Sequence, residues 1–188
     1  MAGQIYLPNV LLSIPRNPVT AVGLPLALGF LRGSLIHDDP KRPWIQKLCP
    51  PPGHSPTEVF PIIWPVFYMS MGYVSHLAVK ALGLPENRNA SLGLAIYYLH
   101  LGLNLGWNPI SSRTKRTGLG FANSAVMTVT ALCMMKLLDR PTHHEATLFL
   151  LPYSAWLAYM TYLKGAVWWL DTQRKDPADR EEDDGGDF

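Results

Sequence analysis

The chain is poor in the residues around which enzymes and metal proteins are usually built. Only two cysteines occur in 188 residues, Cys49 and Cys133, and they form neither a CxxC pair nor a zinc-ligand spacing. One lies in a proline-rich connection and the other inside an apolar stretch, so two free thiols are expected. Charged residues make up 16% of the chain. The acidic ones fall in connections, near the ends of apolar stretches and in the tail, so no carboxylate pair is placed for general acid–base chemistry. Glu58 heads an apolar stretch without an acidic mate nearby, a position that suits a helix amino terminus. There is no HExxH, and His143, His144 and Glu145 are adjacent side chains that do not converge as metal ligands. Gly118 and Gly120 lack the GxGxxG or GK[ST] context of a phosphate-cradling loop. The basic run Arg113 to Arg116 sits at the edge of an apolar stretch, where anionic headgroups explain it and no nucleic-acid partner is implied.

What the chain has in abundance is long apolar runs. Its mean hydropathy is only +0.06 because charges gather in a few connections and the tail, while five stretches are long enough to cross a bilayer. They lie near residues 17–37, 58–83, 91–110, 118–138 and 146–170. A spanning helix needs about 20 residues, and five such stretches leave little chain to cover them in water. The reading is an all-α membrane protein, a bundle of five transmembrane helices, with an amino-terminal segment 1–17 and an acidic, disordered tail 171–188. No small-residue cleavage site follows the first stretch, so it is expected to stay and span. Arg16, Lys80, Arg88, Lys136 and Arg140 fall on the amino-terminal side. Lys41, Arg42, Lys47, Arg113, Lys115, Arg116, Arg174, Lys175 and Arg180 fall on the other, which places the carboxyl terminus in the cytosol.

The first connection, residues 38–57, is the long one and carries Pro40, Pro43, Pro50, Pro51, Pro52 and Pro56. Repeated proline blocks helix, and a long loop in a compact bundle suits a lid. Inside the spans, the runs from Trp64 to Gly72 and from Asn104 to Pro109 contain residues uncommon on a lipid face. An indole N–H and an amide seek partners, and proline removes a backbone donor. Trp64 and Tyr68 are one helical turn apart, Trp107 stands near Asn104 and Pro109, and Tyr153 and Trp156 share a face. Flat apolar walls with polar tips suit a planar or polycyclic ligand in a bundle cavity. Trp168 and Trp169 fit an interfacial belt instead. His76 and His100 fall within spans, where an imidazole either ligates a haem-like iron or sits neutral and hydrogen-bonded in the bundle, the commoner use.

These residues, in this order, resemble the translocator protein family, also called TspO/MBR, tryptophan-rich sensory proteins or peripheral-type benzodiazepine receptors. The resemblance covers nearly all of residues 18–170. Trp44, Pro51, Pro56, Trp64, Tyr68, Met71 and Gly72 are similar to the family's first connection and second helix. Asn104, Trp107 and Pro109 match its Asn-x-x-Trp-x-Pro, and Gly118 a glycine opening helix four. Pro152, Tyr153, Trp156, Leu157, Ala158, Leu163 and Trp168 resemble its fifth-helix signature.

The resemblance implies a homodimeric five-helix bundle that binds porphyrin, haem-like or sterol-like molecules, and synthetic benzodiazepine-type ligands, in a lidded cavity. Trp64, Asn104, Trp107 and Trp156 would line it, with Trp44 and Pro51 in the lid. Membrane lipid and a lipophilic small molecule are then the partners, no cofactor is required, no catalytic residue or metal site is assigned, and the mitochondrial outer membrane is the implied location. Transport or sensing of such a ligand is the expected role, with a porphyrin-modifying enzyme or a structural membrane partner as alternatives. The chain also departs from the pattern. Gly53 and Glu58 replace lid aromatics, Leu119 replaces another aromatic, and Asn123 stands for an aspartate. Met160 replaces a small residue and Lys164 an asparagine, which narrows the cavity on that face. Gly165 and Trp169 stand where the animal sterol motif has tyrosine and arginine. Leu157, Tyr159 and Lys164 satisfy only the loose form of that motif, from which sterol binding is not inferred.

Overall fold

A computed structural model describes residues 8–35, 60–83, 87–114 and 117–174. They form six α-helices: α1 (Asn9–Ser13), α2 (Pro18–Leu35), α3 (Phe60–Ala81), α4 (Asn87–Thr114), α5 (Thr117–Asp139) and α6 (Glu145–Arg174). A 3-10 turn, Ile14–Arg16, joins the first two, and no strand occurs among the described residues. The all-α expectation stands among the described residues, which hold one short helix besides the five expected spans. The extra helix is α1, in a segment for which no helix was expected. Its amide groups are received by Pro8, whose carbonyl accepts from Leu11 (2.9 Å) and Leu12 (3.3 Å), and Pro15 ends it by lacking an N–H. The last helix also runs on to Arg174, so residues 171–174 expected in the tail are helical. The rest of the tail, the lid residues Trp44 and Pro51 with Gly53 and Glu58, and also Cys49, His37 and His54 lie outside the described residues.

Local chemistry accounts for the helix ends. Asn17 caps α2 by accepting the Val19 amide on its side-chain oxygen at 2.9 Å, while Pro18 takes the first helical position, where a missing N–H costs nothing. Between α5 and α6, His143 and His144 adopt φ of 51° and 69°, the left-handed region that non-glycine residues rarely enter. The turn is held by a His144 amide to Asp139 carbonyl bond of 2.7 Å. His144 Nδ1 lies 3.0 Å from the Asp139 carboxylate, which also accepts from the Thr147 hydroxyl. These histidines therefore shape a turn, and no group of three metal-ligating residues occurs among the described residues. Pro25, Pro65 and Pro152 lie inside helices, as spanning helices tolerate when neighbours satisfy the freed carbonyls.

Helix α3 is central, packing against α2, α4 and α6, while α5 completes the ring against α4 and α6. Small residues set the closest approaches. A Cβ on Gly72 would stand 2.4 Å from the Ala21 carbonyl oxygen, and one on Gly29 would stand 2.4 Å from the Tyr68 ring, so α2 and α3 meet with little side chain between them. Met71, Val74, Leu94, Met134, Leu138, Leu150 and Tyr153 fill the core at under 2% exposure. Two helices among the described residues, Pro61–Ala81 and Thr117–Asp139, are long and apolar enough to cross a membrane.

Candidate functional site

The early turns of α3 place three aromatic side chains that organise the site. Trp64 and Tyr68, four residues apart on one face, have ring centroids 6.1 Å apart at an angle of 35°. Tyr68 is buried, its ring lies over the bare backbone of Gly29, and its hydroxyl donates to Asn104 Oδ1 of α4 at 2.8 Å. An amide buried at 2% exposure is costly unless bonded. The Tyr68 hydroxyl supplies such a bond and thereby fixes the position of both groups.

Phe67, one residue before Tyr68, is turned about 100° around α3 from it and reaches α6. Its ring is 5.2 Å from Tyr153 at 60° and 6.1 Å from Trp156 at 49°, and Trp156 in turn lies 5.4 Å from Tyr159. Tilted pairs at these separations favour the quadrupoles of both rings. Trp64 and Trp156 both pack on the central core while remaining partly exposed. Three of the residues expected to line a cavity, Trp64, Asn104 and Trp156, are thus tied together through Tyr68 and Phe67. Phe67 was not singled out from the sequence, although its place three residues after Trp64 is the signal that would have found it. Trp107 lies in α4, and its side chain is outside the described residues, as are the lid residues.

Behind this cluster sits His100, fully buried, with Nδ1 2.7 Å from Thr130 Oγ1 and Nε2 2.5 Å from the Tyr153 hydroxyl. The Thr130 hydroxyl proton points at the Val126 and Met127 carbonyls, each 3.0 Å away. Thr130 therefore accepts from the imidazole, Nδ1 carries the hydrogen, and Nε2 accepts from Tyr153. Both ring nitrogens are engaged, which leaves no lone pair for an axial bond to iron. Of the two uses expected for this histidine, the hydrogen-bonded neutral one is found. His76 likewise has Nδ1 2.7 Å from the Pro15 carbonyl.

The α5–α6 face differs in character. Phe121 and Trp168 stack with centroids 5.5 Å apart and planes 5° from parallel. The stack rests on two glycines. A Cβ on Gly118 would meet Trp168 Nε1 at 3.0 Å, and one on Gly165 would meet the Phe121 ring at 3.0 Å. Trp168 is therefore engaged with Phe121 rather than placed only as an interfacial belt residue.

A model of the TspO/MBR family matches residues 21–170. A translocator protein homolog of Schizosaccharomyces pombe is 31% identical over 155 residues, which cover 82% of this chain and 92% of the relative. The translocator protein of Homo sapiens is 33% identical over 153 residues, 80% of this chain and 89% of the relative. The tryptophan-rich protein TspO of Chlorobaculum tepidum is 26% identical over 147 residues, 78% and 90% of the two chains.

Proposed function

Since the chain belongs to the TspO/MBR family and is a membrane protein of that family, we propose that it is a five-span bundle that holds a planar lipophile of porphyrin or sterol-like class and takes part in its transport or sensing. The carrying observation is the contact of Trp64 with the buried Tyr68–Asn104 pair, joined across α3 by Phe67 to Trp156. The spans are α2 to α6. Exposed Val126, Val129 and Leu132 on α5 and exposed Leu148, Leu151 and Tyr162 on α6 support this reading, because such faces suit hydrocarbon better than water.

In the proposed binding mode the ligand's flat faces lie against Trp64 and Trp156, with Trp107 completing the wall. The Tyr68–Asn104 pair fixes a polar edge, and the connection carrying Trp44 and Pro51 closes over the top. A haem-type ligand would receive no axial bond from His100, whose two ring nitrogens are both engaged. Among the described residues the wall carries aromatic rings and the Asn104 amide but no paired acid and base, which supports binding over catalysis. We further propose a homodimer in the mitochondrial outer membrane with the carboxyl terminus cytosolic.

The test is titration of the purified full chain in nanodiscs with protoporphyrin, read by tryptophan quenching and by calorimetry. Saturable quenching with matching heat supports the reading. Quenching that rises linearly without heat sinks it.

A further inference from the structure

The segment ahead of α2 precedes residues 21–170 matched by the family, yet it is among the most specifically held parts of the structure. Its prolines explain why. In a continuous helix each carbonyl accepts the amide four residues on. Leu11 would need the N–H of Pro15 and Ile14 that of Pro18, and neither exists. Pro15 would need the amide of Val19, which is taken by the Asn17 side chain. Three carbonyls are orphaned in eight residues.

Each receives a side-chain donor from a different helix. The Tyr98 hydroxyl of α4 donates to Leu11 at 2.7 Å, the Thr20 hydroxyl of α2 to Ile14 at 2.6 Å, and His76 of α3 to Pro15 at 2.7 Å. A carbonyl only accepts, so His76 Nδ1 carries the hydrogen. Pro15 is buried, and Leu12 packs against the central core.

The donor on α2 is adjacent to Ala21, whose backbone touches Gly72 of α3. Two turns further along α2, Gly29 receives the Tyr68 ring, and Tyr68 bonds Asn104. The position of α2 along α3 therefore sets where Tyr68 can lie.

We propose that Asn9–Arg16 is a clasp that locks α2 in register on α3 and α4 and thereby positions the Tyr68–Asn104 pair. Tyr98 and His76 are positioning residues remote from the ligand. This deepens the binding-site reading above and rests on it for its ligand-based arm.

The experiment is a double-mutant cycle on the full chain in nanodiscs. Tyr98→Phe and His76→Leu should each weaken protoporphyrin binding about three- to fivefold, as expected for part of one buried hydrogen bond. His76→Asn, whose side-chain amide N–H stands at the position of Nδ1 and can serve the same carbonyl, should restore affinity to within about twofold of wild type. In a Tyr68→Phe background, Tyr98→Phe should have an effect below about twofold, whereas uncoupled distant sites would add. An equal loss in both backgrounds, or no rescue by His76→Asn, overturns the clasp. The same cycle read by Tm needs no ligand. If the wild type fails to bind protoporphyrin the site reading falls, and the clasp is then judged on Tm alone, with non-additivity supporting it and additivity refuting it.

Discussion

The contact between α2 and α3 at Gly72 gives the sharpest quantitative test of the packing. Alanine there places a Cβ 2.4 Å from the Ala21 carbonyl oxygen and 2.7 Å from the Val22 Cα. Ordinary contact begins at 3.4 Å, so the fit is about 1 Å too close by the packing limits of well-filled cores. The obstructing atoms are backbone, and no rotamer change relieves them, so α2 as a whole must move. Overpacking of this kind costs about 1–3 kcal/mol, while replacing a helical glycine returns up to about 1 kcal/mol. With that gain subtracted, the net is a loss of up to about 2 kcal/mol, or up to about 8 °C in Tm for a domain of this size. Gly102, in α4 with nothing within 4 Å of its added Cβ, is the control. Gly102→Ala gains helix propensity without a clash and should raise Tm by about 2–4 °C. Differential scanning fluorimetry of the two variants in one detergent compares the signs. A Gly72→Ala protein as stable as Gly102→Ala would refute the close approach and with it the register that places Tyr68.

Replacement of either aromatic wall, Trp64→Ala or Trp156→Ala, should weaken protoporphyrin binding by about 1–3 kcal/mol, or five- to hundredfold, by analogy with stacked bases; calorimetry must accompany quenching because each change removes a fluorophore. Exchanging residues 40–56 for a Gly/Ser linker should speed ligand dissociation in stopped flow while leaving Tm unchanged, and an unaltered off-rate would make the connection a plain linker. Protease added to intact mitochondria should remove a tag placed after Phe188 and spare one placed before Met1; the opposite pattern would invert the orientation. Cholesterol should bind more weakly than protoporphyrin, since Phe121 lies against Gly165 where the sterol motif requires tyrosine, and a competition assay that ranks cholesterol first would reverse the ligand order.

The helices were legible because their signals are local and repeated. Apolar runs bounded by Asn17-Pro18 or by the turn from Arg140 to His144 identify their own ends. The aromatic wall was partly legible for the same reason, since Trp64 and Tyr68 are bound to share a face at a spacing of four. What spacing cannot supply is the partner on another helix. Nothing in the sequence pairs Tyr68 with Asn104, or places Phe67 between Tyr153 and Trp156. Those links depend on how far one helix slides along the next, a quantity set by the bare surfaces of Gly29 and Gly72.

The same limit applied, with a different cause, to the amino-terminal segment. Ile14, Pro15, Arg16, Asn17 and Pro18 read as a sequence that interrupts helix, and by propensity alone such a stretch is a linker. The first effect of proline there is the donor it removes from the helix. Its second effect is that each missing N–H leaves a carbonyl, four residues earlier, that must find a donor elsewhere if it is to be buried. Leu11 and Ile14 are such carbonyls, and Tyr98 and Thr20 answer them. A segment that looks unstructured by propensity can therefore be firmly docked, provided the body of the protein carries donors at matching positions. From the sequence, histidine at position 76 had two uses open to it, iron ligation or the commoner hydrogen bonding, and tyrosine at position 98 was not singled out. Bond accounting across the prolines gives both a common purpose, and it shows that proline placement specifies tertiary contacts as well as breaks in secondary structure.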